Sequence, residues 1–92
     1  MIAASALTQG RQAYEEQSWA AARQLLLAAD EESPLEAADL ERAGHAEFLV
    51  GHDKAGFALL ERAFNERMAQ GDPEGAALDG FWLVFGLSTR GR

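Results

Sequence analysis

The chain has 92 residues, a net charge of −7 and no cysteine, with 48% hydrophobic and 25% charged residues. That length holds one small domain, and the balance is that of a folded globular protein rather than a disordered acidic tail. Disulfides and thiolate metal sites are excluded, and the acidity disfavours nucleic-acid binding, which draws most of its affinity from phosphate neutralisation.

Ala4-Ser5-Ala6 has the small residues of a cleavage site, but no basic segment and no long apolar core precede it, so no signal peptide is expected. The longest apolar run, residues 81–85, falls far short of the ~18 residues that a membrane span needs. A soluble cytoplasmic protein with no membrane partner is expected.

Turn signals divide the chain into five segments. The first helix is predicted over about residues 3–16. Ser18 is placed to cap a second, over about 19–31. In Ser33-Pro34-Leu35-Glu36, Ser33 is read as the next cap, Pro34 as first-turn residue and Glu36 as the return arm of a capping box. That third helix is expected to run to about residue 50 and stop at Gly51. Asp53 is read as the cap of a fourth, which continues to about residue 70 and ends at Gly71. Asp72-Pro73-Glu74 opens a fifth, reaching Ser88 or Thr89. No segment alternates as a strand does, and connectors of a few residues force neighbouring helices to run antiparallel.

The first hairpin lines up with the second when Gly10 is laid on Gly44. In that register Tyr14 falls on Phe48, Ala22 on Gly56, Leu26 on Leu60 and Ala29 on Ala63. The small residues suit positions where helices approach closely, and Tyr14 and Leu26 suit the space between hairpins. A helix–turn–helix unit with a period of about 34 residues resembles the tetratricopeptide repeat. Gly10 and Gly44 match that family's first-helix glycine, Ala22 and Gly56 its small residue in the second helix, and Pro34 its inter-repeat proline. Ala6 and Leu40 stand in place of its tryptophan, Tyr14 and Phe48 are displaced by one position from its tyrosine, and Met68 stands where its second proline belongs.

The resemblance implies an all-α fold of antiparallel hairpins stacked in a right-handed superhelix. Repeat 1 covers about residues 3–32, repeat 2 about 34–70, and a half repeat about 73–90. The wording of the segments also looks like the N-terminal repeat region of bacterial LuxR-type transcription regulators, which implies a sensor or scaffold role. No DNA-binding helix-turn-helix is recognised in the chain itself.

The fifth segment carries Leu78, Phe81, Trp82 and Phe85 as one stripe at helical spacing, with Leu83, Val84 and Leu87 off it and Asp79 as the only charge between Ala76 and Thr89. A helix apolar nearly all round expects cover on more than one side. Leu78, Phe81, Trp82, Leu83, Phe85 and Leu87 are therefore the expected interaction surface, for a protein partner or a second copy. Thr89-Arg90-Gly91-Arg92 resembles the turn Leu49-Val50-Gly51-His52, so the chain is expected to be part of a longer repeat protein.

No residues assemble a reaction centre. His45 and His52 lack a third metal ligand and are read as surface or turn histidines. Glu15-Glu16 and Asp30-Glu31-Glu32 are read as solvated, and Arg11, Arg42, Arg62 and Arg67 as weak surface pairs, Arg62 with Glu66 among them. The serines and threonines lack a nucleophile-elbow setting, and Gly71, Gly75 and Gly80 lack the lysine and strand of a phosphate loop. Neither catalysis nor a cofactor is expected. Two alternatives to a regulatory module are a small homodimeric adaptor and a small-molecule sensor with a pocket near Trp19, Phe57 and Trp82.

Overall fold

Where apolar periodicity and turn residues agree, helices form. The computed structural model describes residues 5–86 and contains α1 (Ala6–Glu15), α2 (Trp19–Glu32), α3 (Ala37–Leu49), α4 (Asp53–Ala69) and α5 (Pro73–Gly86), with no strand among the described residues. Ser5 caps α1, its hydroxyl accepting the Thr8 N–H at 3.1 Å. The expected helix start at residue 3, Leu87, the reach to Ser88 or Thr89 and the turn-like Thr89-Arg90-Gly91-Arg92 lie outside the described residues.

Three of the four connections repeat one turn. The Ser18 N–H donates to the Ala13 carbonyl at 2.9 Å, His52 to Glu47 at 2.7 Å and Asp72 to Arg67 at 2.8 Å. One residue earlier, Gln17 donates to Tyr14, Gly51 to Phe48 and Gly71 to Met68. This paired closure satisfies the last carbonyls of a helix and needs a left-handed residue at its corner. Gly51 and Gly71 supply it with φ of 91° and 74°. Gln17, the counterpart of Gly51 in the first hairpin, adopts φ of 63°. Ser18 precedes α2 as expected but makes no side-chain cap, and α4 takes His52 as its cap and Asp53 as its first residue.

The fourth connection corrects the sequence reading. Ser33 closes α2 in an extended conformation, and α3 begins at Ala37 after Glu36, with no side-chain cap. Leu35 is the reason. Its side chain is buried in the cluster with Leu26, Leu40, Ala43 and Leu59, while its N–H donates to the Asp30 carboxylate at 3.0 Å. Anchoring Leu35 holds the chain extended past Pro34, so the helix starts later than a Ser33 cap would allow.

Each helix packs on the next, giving a row 46 Å long and 20 Å thick. The correspondence between the hairpins holds in space. A Cβ on Gly10 would stand 2.9 Å from Leu26, and one on Gly44 would stand 3.2 Å from Leu60. Leu26, Leu60, Ala22, Gly56, Ala29 and Ala63 are all buried. Tyr14 and Phe48 are partly buried beside them.

These spacings set the sign of two glycine substitutions. A Cβ at Gly56 would lie 2.9 Å from the Phe48 ring and 3.0 Å from the Gly44 carbonyl oxygen. Overpacking of about 1–3 kcal/mol then exceeds the ~1 kcal/mol helix-propensity gain, so Gly56→Ala is expected to destabilise. At Gly80 the nearest atom belongs to Phe64 at 3.6 Å, an ordinary contact, so Gly80→Ala is expected to stabilise by about 0.5–1 kcal/mol. Urea midpoints measured side by side check both signs.

Candidate interaction surface

Helix α5 starts where Asp72 accepts the Gly75 N–H at 3.0 Å and Pro73 occupies the first helical position, as the sequence predicts. Its amphipathicity is inverted. Ala76 and Asp79 are buried, and Gly80 and Leu83 are half-buried, so the row at i, i+3, i+4 and i+7, with Leu83 of the expected surface in it, faces the neighbouring helices. On the opposite face, at the same spacing, Leu78, Phe81, Trp82 and Phe85 keep 59%, 56%, 40% and 48% of their surface exposed. Val84 flanks them, more exposed still.

The exposed rings are already ordered against one another. Phe81 and Phe85 stack at 6.0 Å between centroids, and Trp82 meets Phe81 edge-on at 5.4 Å and Phe85 at 5.7 Å. Such pairs hold aromatic side chains in one arrangement.

In the register that lays Tyr14 on Phe48, the next position along the chain is Trp82, and it sits on a line of contacts joining the odd-numbered helices. Its indole lies edge-on to the His45 ring at 6.2 Å, and the Tyr14 hydroxyl is 3.4 Å from His45 Nδ1 on the other side. His45 is thus half-buried between α1 and α5 rather than a surface or turn residue. Burial lowers its pKa, against the pull of the Glu41 carboxylate. His52 does lie exposed at its turn, within 2.8 Å of Glu47. Trp19 and Phe57, expected near a pocket with Trp82, are engaged within their own hairpins, Trp19 by Tyr14 at 5.4 Å and Phe57 by Phe48 at 5.1 Å.

The arginines do not behave as weak surface pairs. Arg11 grips the buried Asp39 through two hydrogen bonds of 2.9 and 2.7 Å, and Arg42 adds a third at 3.0 Å. Arg23 grips the buried Glu47 at 2.6 and 3.3 Å. Arg62 pairs with Asp30 on α2 at 2.9 and 3.0 Å, a cross-helix fork in place of the expected Glu66 pair. Asp30 is accordingly half-buried, whereas Glu31 and Glu32 are exposed as expected. The Arg11 and Arg62 guanidiniums hold Asp39 and Asp30 below the usual carboxylate range. Burial works against the Glu47 carboxylate, but Arg23 and His52 outweigh it and hold its pKa low.

Arg67 organises the junction of α3, α4 and α5. Its guanidinium holds Glu41 at 2.6 and 2.8 Å and Asp72 at 3.0 Å. Asp79 lies 3.6 Å from Arg67 Nε, too far for a hydrogen bond, and its buried Oδ2 has no hydrogen-bond partner. Burial, then the Glu41 carboxylate, push the Asp79 pKa up to about 7. Burial disfavours the Glu41 carboxylate too, but Arg67 and the hydrogen bond shared with Asp79 hold it ionised.

A cavity of about 340 Å³ opens between α1 and the α2–α3 connector, lined by Leu7, Arg11, Pro34, Glu36 and Asp39 among others. Its guanidinium, on Arg11, is already committed to Asp39. Among the described residues no group of three histidine, aspartate or glutamate side chains is placed to hold a metal ion, and no helix is long and apolar enough to cross a membrane. Comparison with protein-family models, with curated proteins and with solved structures returns no match.

Proposed function

We propose that this chain is a tetratricopeptide-like interaction module whose binding surface is the outer face of α5. One observation carries the reading: α5 turns Ala76, Asp79 and Gly80 toward its neighbours and leaves Leu78, Phe81, Trp82 and Phe85 outward as an ordered apolar patch. A patch of that kind marks an interaction site. The right-handed superhelix belongs to the same proposal; the Gly10–Leu26 and Gly44–Leu60 approaches support the repeated hairpin from which it would be built. The narrower version, a sensor or scaffold part of a LuxR-type regulator, rests on the wording of the repeats. Reading the source gene past the codon for Arg92 tests it: a frame continuing into a helix-turn-helix supports it, and an immediate stop removes it.

The module itself is tested by position. A photo-crosslinking phenylalanine analogue in place of Phe85 is expected to join the full chain to a polypeptide in the cell. The same analogue at the exposed Ala28 of α2 is expected not to. Equal yields at both positions, or none at either, overturn the reading.

A further inference from the structure

We infer that the occupant of the α5 face is a second copy of this chain, joined α5 to α5 about a two-fold axis; this rests on the interaction-module reading and names its partner. The first observation is a residue out of pattern. Where α1 carries Gly10 against Leu26 and α3 carries Gly44 against Leu60, the equivalent position on α5 is Leu78. A glycine there lets a hairpin close; a Cβ at Gly10 would already stand 2.9 Å from Leu26. A helix laid on α5 as α2 lies on α1 would strike the Leu78 side chain. The outer face is built for a partner at ordinary helix spacing, about 8–10 Å between axes, with large side chains interdigitating.

Charge points the same way. Two molecules of net charge −7 repel, and the repulsion is least where the faces that meet carry no carboxylates. The stripe Leu78, Phe81, Trp82 and Phe85 has no charge; Asp79 is buried on the opposite side of α5, and the exposed Glu74 stands one turn before Leu78, at the stripe's end. An isologous pairing sets this stripe against itself, so neither copy brings a carboxylate of the stripe to the seam.

Area sets the strength. A fully covered aromatic side chain accounts for roughly 150–250 Å², so three half-exposed rings with Leu78 and Val84 present roughly 500 Å² of apolar surface per copy. Doubled, that approaches the lower edge of stable interfaces, about 1,200 Å². An interface of that size is of the weak, reversible kind, so monomer and dimer exchange with concentration.

Sedimentation of the full chain from about 1 to about 500 μM is expected to show the mass doubling with concentration. Phe85→Glu, a substitution at an exposed position, is expected to keep the helical circular dichroism and weaken association by more than about tenfold. Because the chain has no cysteine, Phe81→Cys adds a single thiol beside the two-fold axis. Oxidation is expected to yield a covalent dimer with Phe81→Cys but not with the control Ala28→Cys. A wild-type chain that stays monomeric at the top of the series, or a Phe85→Glu chain that associates as the wild type does, overturns the proposal. If the monomeric chain still crosslinks from Phe85 to a different polypeptide, the second copy is ruled out and the interaction module stands.

Discussion

Asp79→Asn is expected to raise stability at pH 8 by on the order of 2–3 kcal/mol and to change it little near pH 4. The sign follows from proton uptake. Asp79 has a pKa of about 7 in the folded chain against 3.8 for the free side chain, so between those values the folded state binds the extra proton. Stability from this group is fully present below pH 3.8 and is lost as pH rises through 7. Asparagine is neutral at every pH and can donate to Glu41 as the protonated acid does, which removes that loss. The groups facing Asp79 are Glu41 from α3, Arg67 from α4 and Asp72 from the connector, and His45 acts on Glu41. His45 runs the other way. Its lowered pKa favours the neutral ring, so its contribution is lost as pH falls below 6.5. Asp30, Asp39, Glu41 and Glu47, all held low, lose theirs only on further acidification. Urea titrations at pH 4.5, 6 and 8 separate the outcomes. Parallel wild-type and Asp79→Asn curves, or a variant less stable at pH 8, would show that Asp79 is ionised in the folded chain.

Leu26→Ala and Leu60→Ala are each expected to cost about 2–5 kcal/mol. Both side chains are fully buried, and each fills the space left by a glycine on the facing helix. Alanine leaves a cavity that the backbone cannot close, because Gly10 and Gly44 already bring the helices to contact distance. Against a total of about 5–15 kcal/mol, either variant populates the unfolded state measurably. Removing the exposed Phe81 side chain, larger than leucine, is expected to shift the urea midpoint of the dilute monomer far less. A larger shift for Phe81→Ala than for Leu26→Ala would place the core on the wrong side of α5.

The helices were legible because apolar spacing and turn residues agree at nearly every boundary. Gly51, Gly71 and Asp72-Pro73 all punctuate the chain where the structure turns. The Ser33 cap misled because the burial of Leu35 overrides local capping preference. The match of one hairpin to the next was legible because close helix approach restricts Gly10, Gly44 and Gly56 to small residues. The arginine forks were not, because no local spacing rule couples Arg23 to Glu47 or Arg62 to Asp30 across two helices. On α5 the stripe and its open face could be read from spacing, because one neighbouring helix cannot cover so much apolar surface. The inward place of Asp79 could not, because it depends on Arg67 and Glu41 from other helices.

The forks across hairpins also fix alignment. Leucine and alanine contacts are non-directional, and a row held by them alone could slide by one helical turn, about 5.4 Å, with little change in apolar burial. Arg11–Asp39, Arg23–Glu47 and Arg62–Asp30 each join the first hairpin to the second in a two-pronged geometry that tolerates no such slip. Sliding would part all three at once and leave the buried Asp39 with Arg42 alone and the buried Glu47 with His52 alone. The guanidiniums thus act as keys in a spline, and the two hairpins have one seating rather than several.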